Sequence, residues 1–126
     1  MSGIAITKYI RTELLKNTQI TDKIGNKIFP IVADDGTTFP FILIKKSGMT
    51  TNYTKCGAIN DVVNATIEVV DNNYSRAVEL SEEIRNTIER NKFNNISNVE
   101  VVNVNEDYIS DSYIITQQYK IMINNQ

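Results

Sequence analysis

With 126 residues, the chain has room for one domain, whose core can bury roughly two thirds of the unfolded surface without covalent staples. Apolar residues at 41% and charged residues at 22% are an ordinary globular balance, and thirteen basic against fifteen acidic side chains leave a net charge of −2, which argues against affinity built on phosphate neutralisation. One cysteine, Cys56, excludes an internal disulfide and a multi-thiolate metal site, and the lack of histidine removes most acid/base, zinc and Ser-His or Cys-His chemistry.

Ile6, Ile10 and Leu14 recur every fourth residue across 3–16, with Tyr9 beside them and Lys8, Arg11, Thr12 and Lys16 opposite, which predicts an amphipathic helix ending at Asn17-Thr18. Thr21-Asp22 caps a short turn through Ile24 that Gly25-Asn26 stops. Residues 27–32 read as a strand that Pro30 confines to an edge or an end. Asp34-Asp35-Gly36 is a turn rather than a cation loop, because a hard cation needs six to eight oxygens around it. Residues 39–46 form a strand whose run Phe41-Ile42-Leu43-Ile44 asks for cover on both faces. Residues 47–60 have Gly48 and Gly57 and no period, and read as a long functional or mobile loop.

From Asp61 to Asp71 the alternation is clean, with Val63, Ala65, Ile67 and Val69 on one face. Asn72-Asn73 cap a helix from Tyr74 to Asn91. Its inner stripe is Tyr74, Ala77, Leu80, Ser81, Ile84 and Ile88, with Arg76 on the solvated side, and Asn94 and Asn95 close it. A strand over 99–104, a turn over 106–112 and a strand over 113–123 complete the chain. In the last strand Tyr113, Ile115, Tyr119, Ile121 and Ile123 share a face that only Gln117 interrupts. The order α-β-β-β-α-β-β describes a single α+β domain over residues 1–126: a mostly antiparallel sheet of four to five strands with two helices packed on one face. The longest apolar run has four residues, so no membrane contact is expected.

The residues point to no catalytic, cofactor or metal site. Glu106, Asp107 and Asp111 cluster beside Tyr108 in the predicted turn, where solvent or a partner subunit faces them. Cys56 next to Lys55 lacks a histidine base. Lys45 and Lys46 carry the apolar strand outward, to solvent or, in a ring, to a channel or a neighbouring carboxylate. Tyr53 and Tyr108 lie off the apolar stripes and suit interface anchoring, because tyrosine buries area at low entropy cost. The expected inter-subunit surface is therefore Tyr53, Lys55, Lys45, Lys46, Tyr108, Glu106 and Asp107. Two other classes compete: a small α+β ligand-binding module, which needs convergent polar groups on an apolar inner face, and a hydrolase using Glu68 and Asp71 with Glu106 or Asp107.

Several segments together resemble a family. Ile24-Gly25-Asn26-Lys27-Ile28-Phe29-Pro30 is similar to a "hydrophobic-Gly-x-x-Ile-Tyr/Phe-Pro" segment, and Phe39-Pro40-Phe41-Ile42-Leu43-Ile44 to a proline-led apolar strand. Residues 65–74, followed by Ala77, Leu80 and Ile84-Arg85, match a strand-turn-helix pattern. The chain thus resembles the small phage tail-completion proteins, which include tail-terminator and head-to-tail joining proteins, many carrying a domain-of-unknown-function label. The resemblance implies a virion component of the tail or neck, made in the host cytoplasm. It would form a homo-oligomeric ring, hexameric or in some relatives dodecameric, against portal, adaptor, tail-tube or other neck proteins. DNA would pass through without being read. The expected ring contacts are the loop over 47–60 and an edge strand, either 27–32 or the C-terminal one. Removing residues 50–57 is expected to leave a folded monomer that assembles poorly, as light scattering on a sizing column would report.

Overall fold

The fourth-residue isoleucines and the alternating strands bury their apolar sides against each other as one layer. The computed structural model describes residues 3–90 and 96–124. A single helical turn (Gly3–Ala5) leads into α1 (Ile6–Leu15), α2 (Thr18–Ile24), β1 (Ile28–Pro30), β2 (Phe41–Thr54), β3 (Gly57–Asp71), α3 (Tyr74–Arg90), β4 (Ile96–Ile109) and β5 (Ser112–Asn124). The strands form one five-stranded sheet in the order β1-β2-β3-β5-β4. β1 runs parallel to β2, and every other neighbouring pair is antiparallel. The fold is α+β, and the core lies between the helices and one face of the sheet. Ile6, Ile10 and Leu14 of α1 and Ala77, Leu80, Ile84 and Ile88 of α3 meet Val63, Ala65, Ile67 and Val69 of β3 and Ile115, Tyr119, Ile121 and Ile123 of β5.

Three helices are present where the periodicity predicts two. Asn17 both ends α1 and caps α2, its Oδ1 accepting from the Gln19 N–H at 2.9 Å, and Gly25 closes α2 at φ 65°, a conformation that favours glycine. A polar cap residue shared by two short helices reads in sequence as a stop only.

The predicted loop over 47–60 is instead the outer half of a β2–β3 hairpin, with the turn at Lys55-Cys56. Beyond Met49, which still packs against the core, its residues are mostly polar, so neither face carries an apolar stripe. Register shifts at Lys46/Gly48 and Asn52/Tyr53 erase what period remained. The predicted turn over 106–112 is likewise mostly strand. β4 continues to Ile109, and the reversal uses only Ser110 and Asp111, at φ 52° and 62°. That fits a two-residue hairpin turn with both central residues left-handed, built without the Asn-Gly pair that announces one. The C-terminal strand is not an edge, because β5 pairs with both β3 and β4. The predicted stop at Asn94 and Asn95 lies outside the described residues.

α3 starts on an ion pair that the alternation did not reveal. Asp71, fully buried at the end of β3, accepts from Arg76 Nε and Nη2 at 2.6 Å each and from the Asn73 N–H. Asn73 Oδ1 in turn caps the helix through the Arg76 N–H. Arg76 is therefore engaged rather than solvated. Tyr74, expected in the core, is half exposed and packs edge-on against Tyr113. The two ends of the ion pair predict unequal losses. Arg76→Ala strands a buried carboxylate and costs about 3 kcal/mol or more. Asp71→Asn leaves a guanidinium that reaches water, and costs about 1–2 kcal/mol. Urea unfolding of both variants checks the order; equal or reversed losses would count against it.

Candidate assembly surface

The two outer strands of the sheet end differently from the inner ones. β1 covers β2 only at Ile42, Leu43 and Ile44. The Ile31 N–H bonds the Ile44 carbonyl at 2.9 Å, and the Val32 N–H then folds back onto the Pro30 carbonyl. This tight turn holds Ile31 at φ 66°, a costly conformation for a β-branched residue. The chain leaves the sheet there. Among the described residues no strand pairs with the outer side of β2 from Lys45 to Thr54.

That stretch and the turn after it carry four of the predicted residues. Lys45 lies opposite Thr66, on the face away from the helices, while Lys46 lies opposite core residue Ala65 and reaches the Ile4 carbonyl at 2.8 Å. Tyr53, 73% exposed, sits near the hairpin tip, and Lys55 is in the turn. The base of the hairpin is held by buried Asp61, which accepts from the Gly3 N–H and the Thr51 hydroxyl, both at 2.7 Å.

β4 is the opposite edge, and from Val102 to Ile109 every residue is exposed. Val102, Val104, Tyr108 and Ile109 are large apolar side chains left in water there. Glu106, opposite Ile115, lies on the helix side, and Asp107, opposite Ile114, on the other. The Tyr74 phenol is hydrogen-bonded to Glu106, which together with partial burial raises its pKa. Tyr108 packs on Tyr113 at 4.8 Å between ring centres.

The seven predicted residues thus fall into two groups at opposite edges of one sheet rather than into one patch. β2 and its turn carry Lys45, Lys46 and Lys55 and no acid, whereas β4 carries Glu100, Glu106 and Asp107 and no base. Sequence reasoning missed Glu100, Val102 and Val104, although the apolar pair Val101-Val102 beside acidic neighbours was a visible signal of an edge strand with two uses.

The carboxylates of the hydrolase reading are not brought together. Glu68 and Asp71 extend from opposite faces of β3, Glu106 and Asp107 from opposite faces of β4, and Asp71 is tied to Arg76. Among the described residues no three His, Cys, Asp or Glu groups cluster as metal ligands, and no helix is long and apolar enough to cross a membrane. An apolar groove of about 450 Å³ lies between α1 and β1, lined by Ile28, Phe29, Pro30 and Ile44 with Thr7 and Arg11. Arg11 Nε already donates to the Ile28 carbonyl at 3.0 Å, so the groove offers little convergent polarity to a ligand.

The comparisons with known proteins bear on this arrangement. No protein-family model matches the chain, and no curated protein matches it by sequence. Among solved structures, a chain of one described as "Virion of native gene transfer agent (GTA) particle" has a similar fold, with 10% identity, a TM-score of 0.78 and 92% of each chain covered. At that identity the likeness is one of fold.

Behind the surface, Gln117 interrupts the apolar face of β5 for a reason. Its Nε2 donates to the Ser81 carbonyl at 2.8 Å and its Oε1 accepts from the Tyr119 hydroxyl at 2.5 Å, tying β5 to α3. Burial first, then the nearby Glu89 charge, pushes the Tyr119 phenol well above its ordinary value, against a smaller opposing effect of Arg85. A raised phenol pKa contributes stability fully below the unfolded value of about 10, and that stability is lost as pH climbs past it. Tyr119→Phe is expected to cost about 1–2 kcal/mol at neutral pH, because Gln117 loses a donor. It should also make the fall in stability between about pH 9 and pH 11 shallower. Urea midpoints across that range check both, and an unchanged alkaline slope would contradict the second.

Proposed function

We propose that this protein is a structural component of a phage or phage-like virion: a tail-completion, tail-terminator or neck-ring subunit that joins head to tail. The observation carrying this reading is the fold likeness to a chain of a gene transfer agent virion over 92% of both chains. The narrower assignment to tail completion rests on the resemblance of the segments at residues 24–30, 39–44 and 65–85. Copies assemble into a ring, a hexamer in the first instance and a dodecamer as the alternative, between portal or adaptor proteins and the tail tube. Its place is the tail or neck of the particle, and DNA passes through without sequence-specific contact.

The reading asks for mechanics rather than covalent chemistry. A ring needs two different surfaces on each subunit whose repeated contact closes. The two groups of interface residues, at Lys45, Lys46, Tyr53 and Lys55 and at Glu106, Asp107 and Tyr108, are those surfaces in this proposal. A contact of this kind is stable when it buries on the order of 1,600 Å².

Light scattering on a sizing column, with negative-stain images, should show closed rings at high protein concentration or on particles lacking this protein. A chain that stays monomeric in both settings would overturn the reading. The hairpin supplies a second test, placed to spare the Thr51–Asp61 bond that removal of residues 50–57 would break. Replacing residues 52–60 by Asn-Gly joins the cross-strand partners Thr51 and Asp61 through a favoured two-residue turn. The shortened protein is expected to melt within a few degrees of the parent and to assemble poorly; an unchanged oligomer would remove the hairpin tip from the interface.

A further inference from the structure

We infer that the contact between copies is a continuation of the sheet: β4 of one copy pairs antiparallel with the uncovered stretch of β2, from Lys45 onward, on the next. This rests on the ring reading above and names the surface and the partner, a second copy of this chain.

Charge selects the pairing. One edge is basic and the other acidic, so an acidic edge meeting its own kind is repelled, as is a basic one, and only the unlike edges attract. Unlike edges joined head to tail make a heterologous contact, the kind that closes rings, rather than a two-fold dimer.

Register follows from the faces. Setting Lys46 opposite Glu106 puts Lys45 opposite Asp107. The first pair lies on the helix side of the sheet and the second on the other side, so both ion pairs form at once between side chains that share a face. The extra residue of β2 between Lys46 and Gly48 then brings Met49 opposite Val104, both on the helix side. Below Lys45 the incoming strand meets the place where the chain turns away at Ile31. Because β1 already pairs with β2 through Ile44, the shared ladder ends at Asp107, and exposed Tyr108 and Ile109 must leave it and pass over exposed Ile31 and Val32.

Within one chain the ladder levels Lys46 with Val101, through Ala65 and Tyr119. The proposed register therefore slides neighbours by about five residues across the four strands β2-β3-β5-β4 that each copy adds, a little over the one residue per strand by which an eight-stranded barrel of shear 8 closes.

Charge reversal tests the pairing. Lys45→Glu/Lys46→Glu makes both edges acidic, and Glu106→Lys/Asp107→Lys makes both basic. Each variant alone should assemble at least about tenfold more weakly than the parent, and an equimolar mixture should recover assembly, because each then supplies the edge the other lacks. If the parent forms rings and both variants do so equally well, or if the mixture stays apart, the edge pairing is overturned while the ring reading stands. If the parent itself never associates, both fall.

A covalent test does not depend on charge. Lys45→Cys/Asp107→Cys in a Cys56→Ser background places the thiols on strands three sheet spacings apart, at least about 14 Å within one chain, too far for a disulfide. Oxidation should therefore give a ladder of linked copies on a non-reducing gel, and either single cysteine should give none beyond a dimer. A monomer band alone from an assembled sample would overturn the register.

Discussion

The arrangement depends on β5, rather than β4, pairing with β3. After α3 the chain returns as a hairpin, and its second strand carries the better apolar alternation, from Ile115 to Ile123. Placing that strand beside β3 sets the two most regular apolar faces next to each other under α1 and α3. Because side-chain direction has a period of two, a slip of one residue would turn one of the two sets out of the buried face. The consequence is positional: the more polar strands, β2 and β4, are driven to the outside, one beyond each member of the central pair. The core thus decides which strands become edges.

Three buried polar groups fasten the helical layer to that sheet. Asp61 holds the N-terminal turn through Gly3, Asp71 holds the start of α3 through Arg76, and Gln117 holds the middle of α3 through Ser81. Each sits on a strand and has at least one partner supplied by a helix or its flank. Among the described residues no buried side-chain nitrogen or oxygen lacks a hydrogen-bond partner, the condition under which buried polarity specifies one packing instead of loosening it. Close approach adds a further constraint at Gly3, where a Cβ would come within 2.6 Å of Met49 Sδ and Val63 Cγ2.

The same economy explains the exposed apolar residues. A strand edge that bears Val102, Val104, Tyr108 and Ile109 without cover is a hazard in a protein that remains alone, and its acidic side chains temper that hazard by repelling identical edges. In the proposed ring the opposite edge supplies the missing partner. The strained turn at Ile31 belongs to this account, since it takes the chain off β2 and leaves the rest of that strand open.

By itself the amino-acid sequence determined the α+β class, helix α1, the strand of Val63 to Val69, the cap at Asn73 and the apolar face of β5. All of these are local periodicities or side chain-to-backbone bonds that a short window contains. It also marked Lys45, Lys46, Tyr53, Lys55, Glu106, Asp107 and Tyr108 as residues without a place in the core. What it did not contain was their geometry. The end of β2 from Asn52 and the second half of β4 from Val102 are largely solvated on both faces, so no alternation signals them, and the Ser110-Asp111 turn lacks glycine. Only the tertiary structure decided that the lysines and the carboxylates stand at opposite edges of one sheet, because strand order is set by which buried faces pack together across long separations in the chain.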